Sequence, residues 1–166
     1  MTKQKNVPLL AATIICAISV VVMIVALACS EGNQAPVAFT PPPFDENAVR
    51  GMPDVPDNLG WREVDAQVYK ASICGVVTIE NGNADIWFTN PESNTVWLKL
   101  RVSDANGNTL GETGLIRPGE YVQSVKFDII PENGDAISLK LMAYEPETYY
   151  SAGSAMLNTT VMGGDK

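Results

Sequence analysis

The chain has 166 residues, a formal net charge of −8 and no histidine. That length suits one domain plus an anchor. The missing histidine excludes Ser-His and Cys-His nucleophile pairs and zinc or haem sites built on His. Lys3 and Lys5 are the only charges before residue 31, which leaves nine of the eleven basic residues against all nineteen acidic ones; no basic stripe forms, so no nucleic-acid partner is expected.

Residues 1–6 read as a short basic tail. From Val7 to Cys29 there are 23 residues without a charge, and about 20 suffice to cross the hydrocarbon core as a helix. A secretory signal has a shorter apolar region, so length favours a retained signal-anchor over 7–29. The basic flank precedes the run, which places the N-terminus in the cytoplasm and the remainder outside the cell membrane. A rival reading rests on "VALACS": a small residue before Cys29 resembles a bacterial lipobox, in which that cysteine is acylated and becomes the new N-terminus. Leu27 and Ala26 depart from the usual pattern of that motif. Release after cleavage is the third reading.

Residues 30–58 contain six prolines in 29 positions and hold no helical or strand period, which predicts an extended spacer. Within it "TPPPF", Thr40 to Phe44, also has the composition of a proline-rich docking peptide. From residue 59 to 162 the pattern becomes β-rich. Strands are predicted at 73–80, 84–89, 95–103, 109–116, 120–128, 136–144 and 154–162, and the segment 61–72 reads either as a short helix or as an edge strand. "ENGN" (80–83) and "DANGN" (104–108) carry Asn-Gly pairs suited to hairpin turns, and "RPGE" (117–120) has Pro and Gly where a type II turn needs them. Residues 163–166 are a tail. Alternation puts Val96, Leu98, Leu100 and Val102 on one face, and Ile137, Leu139, Leu141 and Ala143 on another. Seven short strands with frequent turns predict an all-β, seven-stranded antiparallel sandwich.

Residues 73–162, with "NPESNTVWLKLRVSDANGNTLGE" and "LIRPGEYVQSVKF", resemble bacterial immunoglobulin-like or fibronectin-III-like extracytoplasmic domains. The resemblance lies at the level of fold and lacks the Cys…Trp…Cys spacing of antibody domains. It implies a sandwich and fixes no function.

Several stretches are candidate sites. If "NPESN" closes a hairpin with Thr89 opposite Thr95, then Trp87 faces Trp97 and Asp85 faces Lys99. The two tryptophans, beside Lys99 and Arg101, would then form a flat outward platform for a sugar ring or a protein. The bland alternative has the pair covered by Trp61 and the 59–72 segment, or one ring in the core. The loop "YEPETYYSAGS" offers Tyr144, Tyr149 and Tyr150 with Glu145 and Glu147, either for a partner or as a cover over the sandwich end. "DANGNTLGE" begins like a calcium loop and then fails, since Thr109 replaces the glycine and Leu115 the bidentate glutamate, so a plain hairpin turn is expected. Cys74, in "ICGVV", reads as a buried thiol. Together these readings predict a non-catalytic, cofactor-free domain at the bacterial cell envelope. It binds another envelope protein through Trp87, Trp97, Lys99, Arg101, Tyr149 and Tyr150; a cell-wall glycan is the alternative ligand.

Overall fold

The computed structural model describes residues 7–30 and 39–163, and the chain divides into two units, Met1–Thr40 and Pro41–Lys166. In the first unit, helix α1 runs Val7–Ser30. Its 24 residues extend about 36 Å at 1.5 Å per residue. The Ser19 hydroxyl donates to the Ile15 carbonyl at 2.9 Å, so this polar group is satisfied within the helix. Side chains are described only over residues 14–25. Among the described residues no helix is long and apolar enough to cross a membrane. The Cys29 side chain, the tail 1–6 and most of 163–166 lie outside what is described.

The second unit is all-β. Its strands are β1 (Val49–Arg50), β2 (Trp61–Asp65), β3 (Lys70–Cys74), β4 (Thr78–Glu80), β5 (Asn83–Asn90), β6 (Trp97–Asp104), β7 (Thr109–Glu112), β8 (Glu120–Lys126), β9 (Ala136–Tyr144) and β10 (Ser151–Thr160). One sheet has the order β1-β8-β5-β3-β2 with β4 added on β5; the other has the order β10-β9-β6-β7. The ladders between strands are antiparallel. The expected two-sheet sandwich is therefore present, but with ten strands in place of seven.

The extra strands come from three places. The segment 61–72 is neither a helix nor one edge strand. It is most of a β2–β3 hairpin in register Trp61↔Cys74 to Asp65↔Lys70. The predicted strand at 73–80 breaks into β3 and β4, because Gly75 and Val76 donate to the Gly60 and Leu59 carbonyls. The expected spacer is part of the sandwich from Pro41 onward: Phe44 bridges Leu115, and β1 pairs with β8. Pro43 and Asp45 use their own carbonyl and amide on Leu115 at 2.8 and 2.9 Å, so this stretch finds backbone partners that its proline content conceals.

Turn chemistry behaves as the residues dictate. Asn81 and Gly82 both take positive φ, 50° and 77°, closing Glu80↔Asn83 in two residues. Gly119 at φ 79° completes the Arg117–Glu120 turn, whose 3.0 Å bond runs from the Glu120 amide to the Arg117 carbonyl. The core is built from alternating inward residues of both sheets. Ile86 and Phe88 from one, and Leu98, Leu100, Leu139 and Leu141 from the other, are essentially fully buried. Each contributes about 1.5–3 kcal/mol on burial. The Tyr69 hydroxyl ties the layers together by donating to the Leu141 carbonyl in the opposite sheet at 3.1 Å.

Candidate functional site

The proposed face of paired tryptophans does not form. β5 and β6 lie in different sheets: β5 pairs with β3, β4 and β8, while β6 pairs with β7 and β9. The "NPESN" segment is a crossover, not a hairpin. Asn90 is fully buried and its amide donates to the Val96 and Ile116 carbonyls at 2.9 and 3.0 Å. Asn94 in turn donates to the Asn90 side-chain oxygen and to the Lys70 carbonyl. These amides carry the chain from one layer to the next.

Trp87 therefore sits on the six-stranded sheet. It occupies a bulge between Asp85 and Phe88 and has φ of 50°, an unfavourable conformation for a bulky residue. Its ring stacks on Tyr121 at 6.1 Å, and Trp61 donates its indole N–H to the Trp87 carbonyl at 3.0 Å. Among the described residues the buried Trp87 Nε1 has no hydrogen-bond partner. Trp61 thus meets Trp87 at its backbone, while Tyr121 is the ring stacked on its indole. Lys99 and Arg101 are not beside it either. Both hold Glu112 on β7, Lys99 Nζ at 2.6 Å and Arg101 Nε at 3.0 Å. Burial pushes the Glu112 carboxyl up, and hydrogen bonds from Lys99 and Arg101 more than offset it, so the group lies below its ordinary range.

What the fold does bring together is Trp97 and the tyrosine loop. Trp97 begins β6 on the outer face, opposite Tyr144 of β9. The ring of Tyr149 meets it edge-on at 5.2 Å and that of Phe44 at 4.8 Å. The Arg117 guanidinium lies 3.5 Å over Phe44, a cation–π contact. Glu147 and Tyr149 have φ of 66° and 57°. The loop is cinched by bonds from the Tyr149 amide to the Glu145 carbonyl (3.0 Å) and from the Glu145 amide to the Tyr150 carbonyl (2.8 Å). This left-handed backbone, costly for residues other than glycine, turns Tyr149 onto Trp97 and leaves Tyr150 74 % exposed. Phe44 and Arg117 were missed in the sequence. "TPPPF" marks the first, but only as a peptide to be docked elsewhere, whereas it docks on its own domain.

The remaining candidates resolve locally. The Asp104 carboxylate accepts from the Asn106 and Asn108 amides and from the Asn108 side chain, each at 2.8 Å. The run is a hairpin turn that uses its own acidic group. Among the described residues no cluster of three His, Cys, Asp or Glu side chains is placed to hold a metal. Cys74 is fully buried beside a cavity of about 80 Å³ lined by Arg62, Ile73, Leu139 and Leu157. Burial, reinforced by Asp85, pushes its thiol up to about 12. The thiolate is the reactive form, so Cys74 is expected to resist alkylation at pH 8 in the folded chain and to label fully in denaturant. Peptide mapping after a timed alkylation checks this, and fast native labelling would contradict the burial.

The chain matches no family model, no curated protein and no solved structure.

Proposed function

We propose that the chain is a non-catalytic, membrane-anchored module that holds its β-sandwich outside the cell and binds another protein of the envelope. One observation carries the binding part: Trp97 and Tyr149, 52 positions apart, meet at 5.2 Å, with Phe44 against Trp97, Arg117 over Phe44 and Tyr150 exposed in the same loop as Tyr149. Trp, Tyr and Arg dominate interface hot spots, and rings already held by neighbours lose little entropy on binding. The anchoring part is supported by the uncharged 23 residues from Val7 to Cys29 and their basic flank. Acylation at Cys29 would place the sandwich on the same side. Kinship with immunoglobulin-like or fibronectin-III-like extracytoplasmic domains belongs to this proposal, supported by the two antiparallel sheets.

The glycan reading asks for Trp87 and Trp97 side by side, and their strands stand in opposite sheets, which leaves it without its platform. The deciding experiment places a photo-crosslinking residue at position 150 of the full chain in cells. One recurrent captured protein is expected, with capture reduced at least tenfold by Trp97→Ala and restored by Trp97→Phe. Capture indifferent to position 97 sinks the reading. Retention of the purified chain on cell wall, abolished by Trp87→Ala, would favour the glycan.

A further inference from the structure

The four-stranded sheet ends on β10, and this edge differs from every other edge in the sandwich. β1 has two residues, one of them Arg50; β2 has five, including Arg62, Glu63 and Asp65; β4 has three and ends on Glu80; β7 has four and ends on Glu112. β10 has ten residues, "SAGSAMLNTT", without a charge or a proline. Edge strands are ordinarily kept short, charged or covered, because their outward N–H and C=O groups recruit further strands.

Both ends of β10 are closed, and the middle is open. At its start a bulge interrupts the ladder between Ser151 and Gly153, with Gly153 at φ 117°. At its end the Thr159 hydroxyl donates to the Gly75 carbonyl at 2.7 Å, and Val161 bridges Val77 of the other layer. Between these, Ser154 to Asn158 run in unbroken register with Met142 to Ser138. Among the described residues nothing pairs with the free side of this stretch. Its midpoint is Met156, 60 % exposed, while Ala155 and Leu157 reach the core from the inner side and stay only partly covered.

We propose that this edge pairs antiparallel with β10 of a second copy, about a two-fold axis at Met156, joining two four-stranded sheets into one. A two-fold interface must be self-complementary, and this one is. Met156 meets its own mate on the outer face. Ala155 faces the mate's Leu157, small against large, and Ser154 faces the mate's Asn158, both polar. Charge selects a second copy over a strand of another protein. The chain is strongly acidic, with a net charge of −8, so two copies meet cheaply only through a neutral surface. A charged partner strand finds no counter-charge on β10 itself. The ladder neighbour of Met156 is Lys140, one strand in; across the axis the two lysines stand three strand spacings apart, about 14 Å, beyond the screening length in physiological salt. The paired edge is far smaller than an obligate interface, so the dimer is expected to be reversible.

The test uses the full chain in detergent. By light scattering the wild-type protein is expected to form a reversible dimer at tens of micromolar protein. Met156→Lys places two ammonium groups on the axis and is expected to weaken dimerisation at least tenfold, leaving the circular dichroism spectrum unchanged and lowering the melting temperature by only a few degrees, since Lys140 stands opposite it within the same copy. Met156→Cys under mild oxidation is expected to give a 156–156 disulfide, mapped by mass spectrometry, whereas Lys140→Cys gives none between its own positions. A monomer at all concentrations overturns the proposal. So does a dimer indifferent to Met156→Lys, which α1 alone would explain, or equal cross-linking from positions 140 and 156. Partner capture at position 150 is a separate readout, so either surface can fail without the other.

Discussion

Asn90→Asp is expected to destabilise the sandwich by about 3–5 kcal/mol at neutral pH, enough to unfold much of the population. The substitution is nearly isosteric, so no cavity is created. What changes is that a buried amide donating to the Val96 and Ile116 carbonyls becomes a carboxylate facing those same two acceptors. The position is fully buried, and the side-chain partners shown for it among the described residues are two carbonyls and the Asn94 amide, all uncharged. Asn90→Ala is the milder case, about 2–3 kcal/mol. It leaves the Val96 carbonyl without that donor and removes an acceptor from Asn94, while the Ile116 carbonyl keeps the Leu98 amide. The sign with pH is distinctive. Burial raises the folded-state pKa of the new carboxyl above its unfolded value, so the deficit relative to wild type is smallest below the unfolded value, about 4, and grows as pH rises from there. Urea unfolding of both variants and wild type at several pH values measures this. Wild-type stability in Asn90→Asp would mean that the crossover is not held as described.

Asn90 also shows why the layering was hard to read. Inward Ile86 and Phe88 on one strand, and Leu98 and Leu100 on the next, satisfy two arrangements equally. In a hairpin the rows lie side by side on one sheet; in a sandwich they face each other across about 10 Å. Alternation reports which residues are inside, and it reported them correctly. It does not report whether consecutive strands are neighbours or opposites. That choice rests on two amides in a five-residue loop, and nothing local in "NPESN" separates a turn from a crossover. Turns such as Asn81–Gly82 and Pro118–Gly119 were legible because positive φ is a local demand that few residues meet.

The candidate site was half legible for the same reason. Trp97 and Tyr149 each carry a recognisable composition, a tryptophan at a strand start and a tyrosine-rich loop. Their meeting is a product of the β6–β9 register, Trp97↔Tyr144, which fixes where the loop after β9 must fold back. Phe44 was not legible as part of the site, because its arrival depends on a glycine far along the chain.

That glycine is Gly114, and Gly114→Ala is expected to cost about 1–3 kcal/mol and to take the site apart. A Cβ there would overlap the Asp45 amide and the Phe44 carbonyl carbon, both backbone, so no side chain can swing aside. The Gly114 amide also donates to the Asp45 carboxylate at 2.7 Å, which holds the incoming segment in place. Alanine forces residues 43–45 outward, and with them goes the Phe44 ring from Trp97. For a unit of this size the melting temperature should fall by roughly 3–5 °C per kcal/mol. Near-ultraviolet circular dichroism should lose aromatic signal while the far-ultraviolet sheet spectrum persists. Phe44→Leu separates the two consequences, since it removes the ring but keeps the backbone pairing. It should reproduce the loss of partner capture at position 150 with a smaller loss of stability. If Gly114→Ala melts like wild type and keeps its aromatic signal, the 43–45 segment does not lie where Phe44 can support Trp97, and the recognition surface shrinks to Trp97 and the tyrosine loop alone.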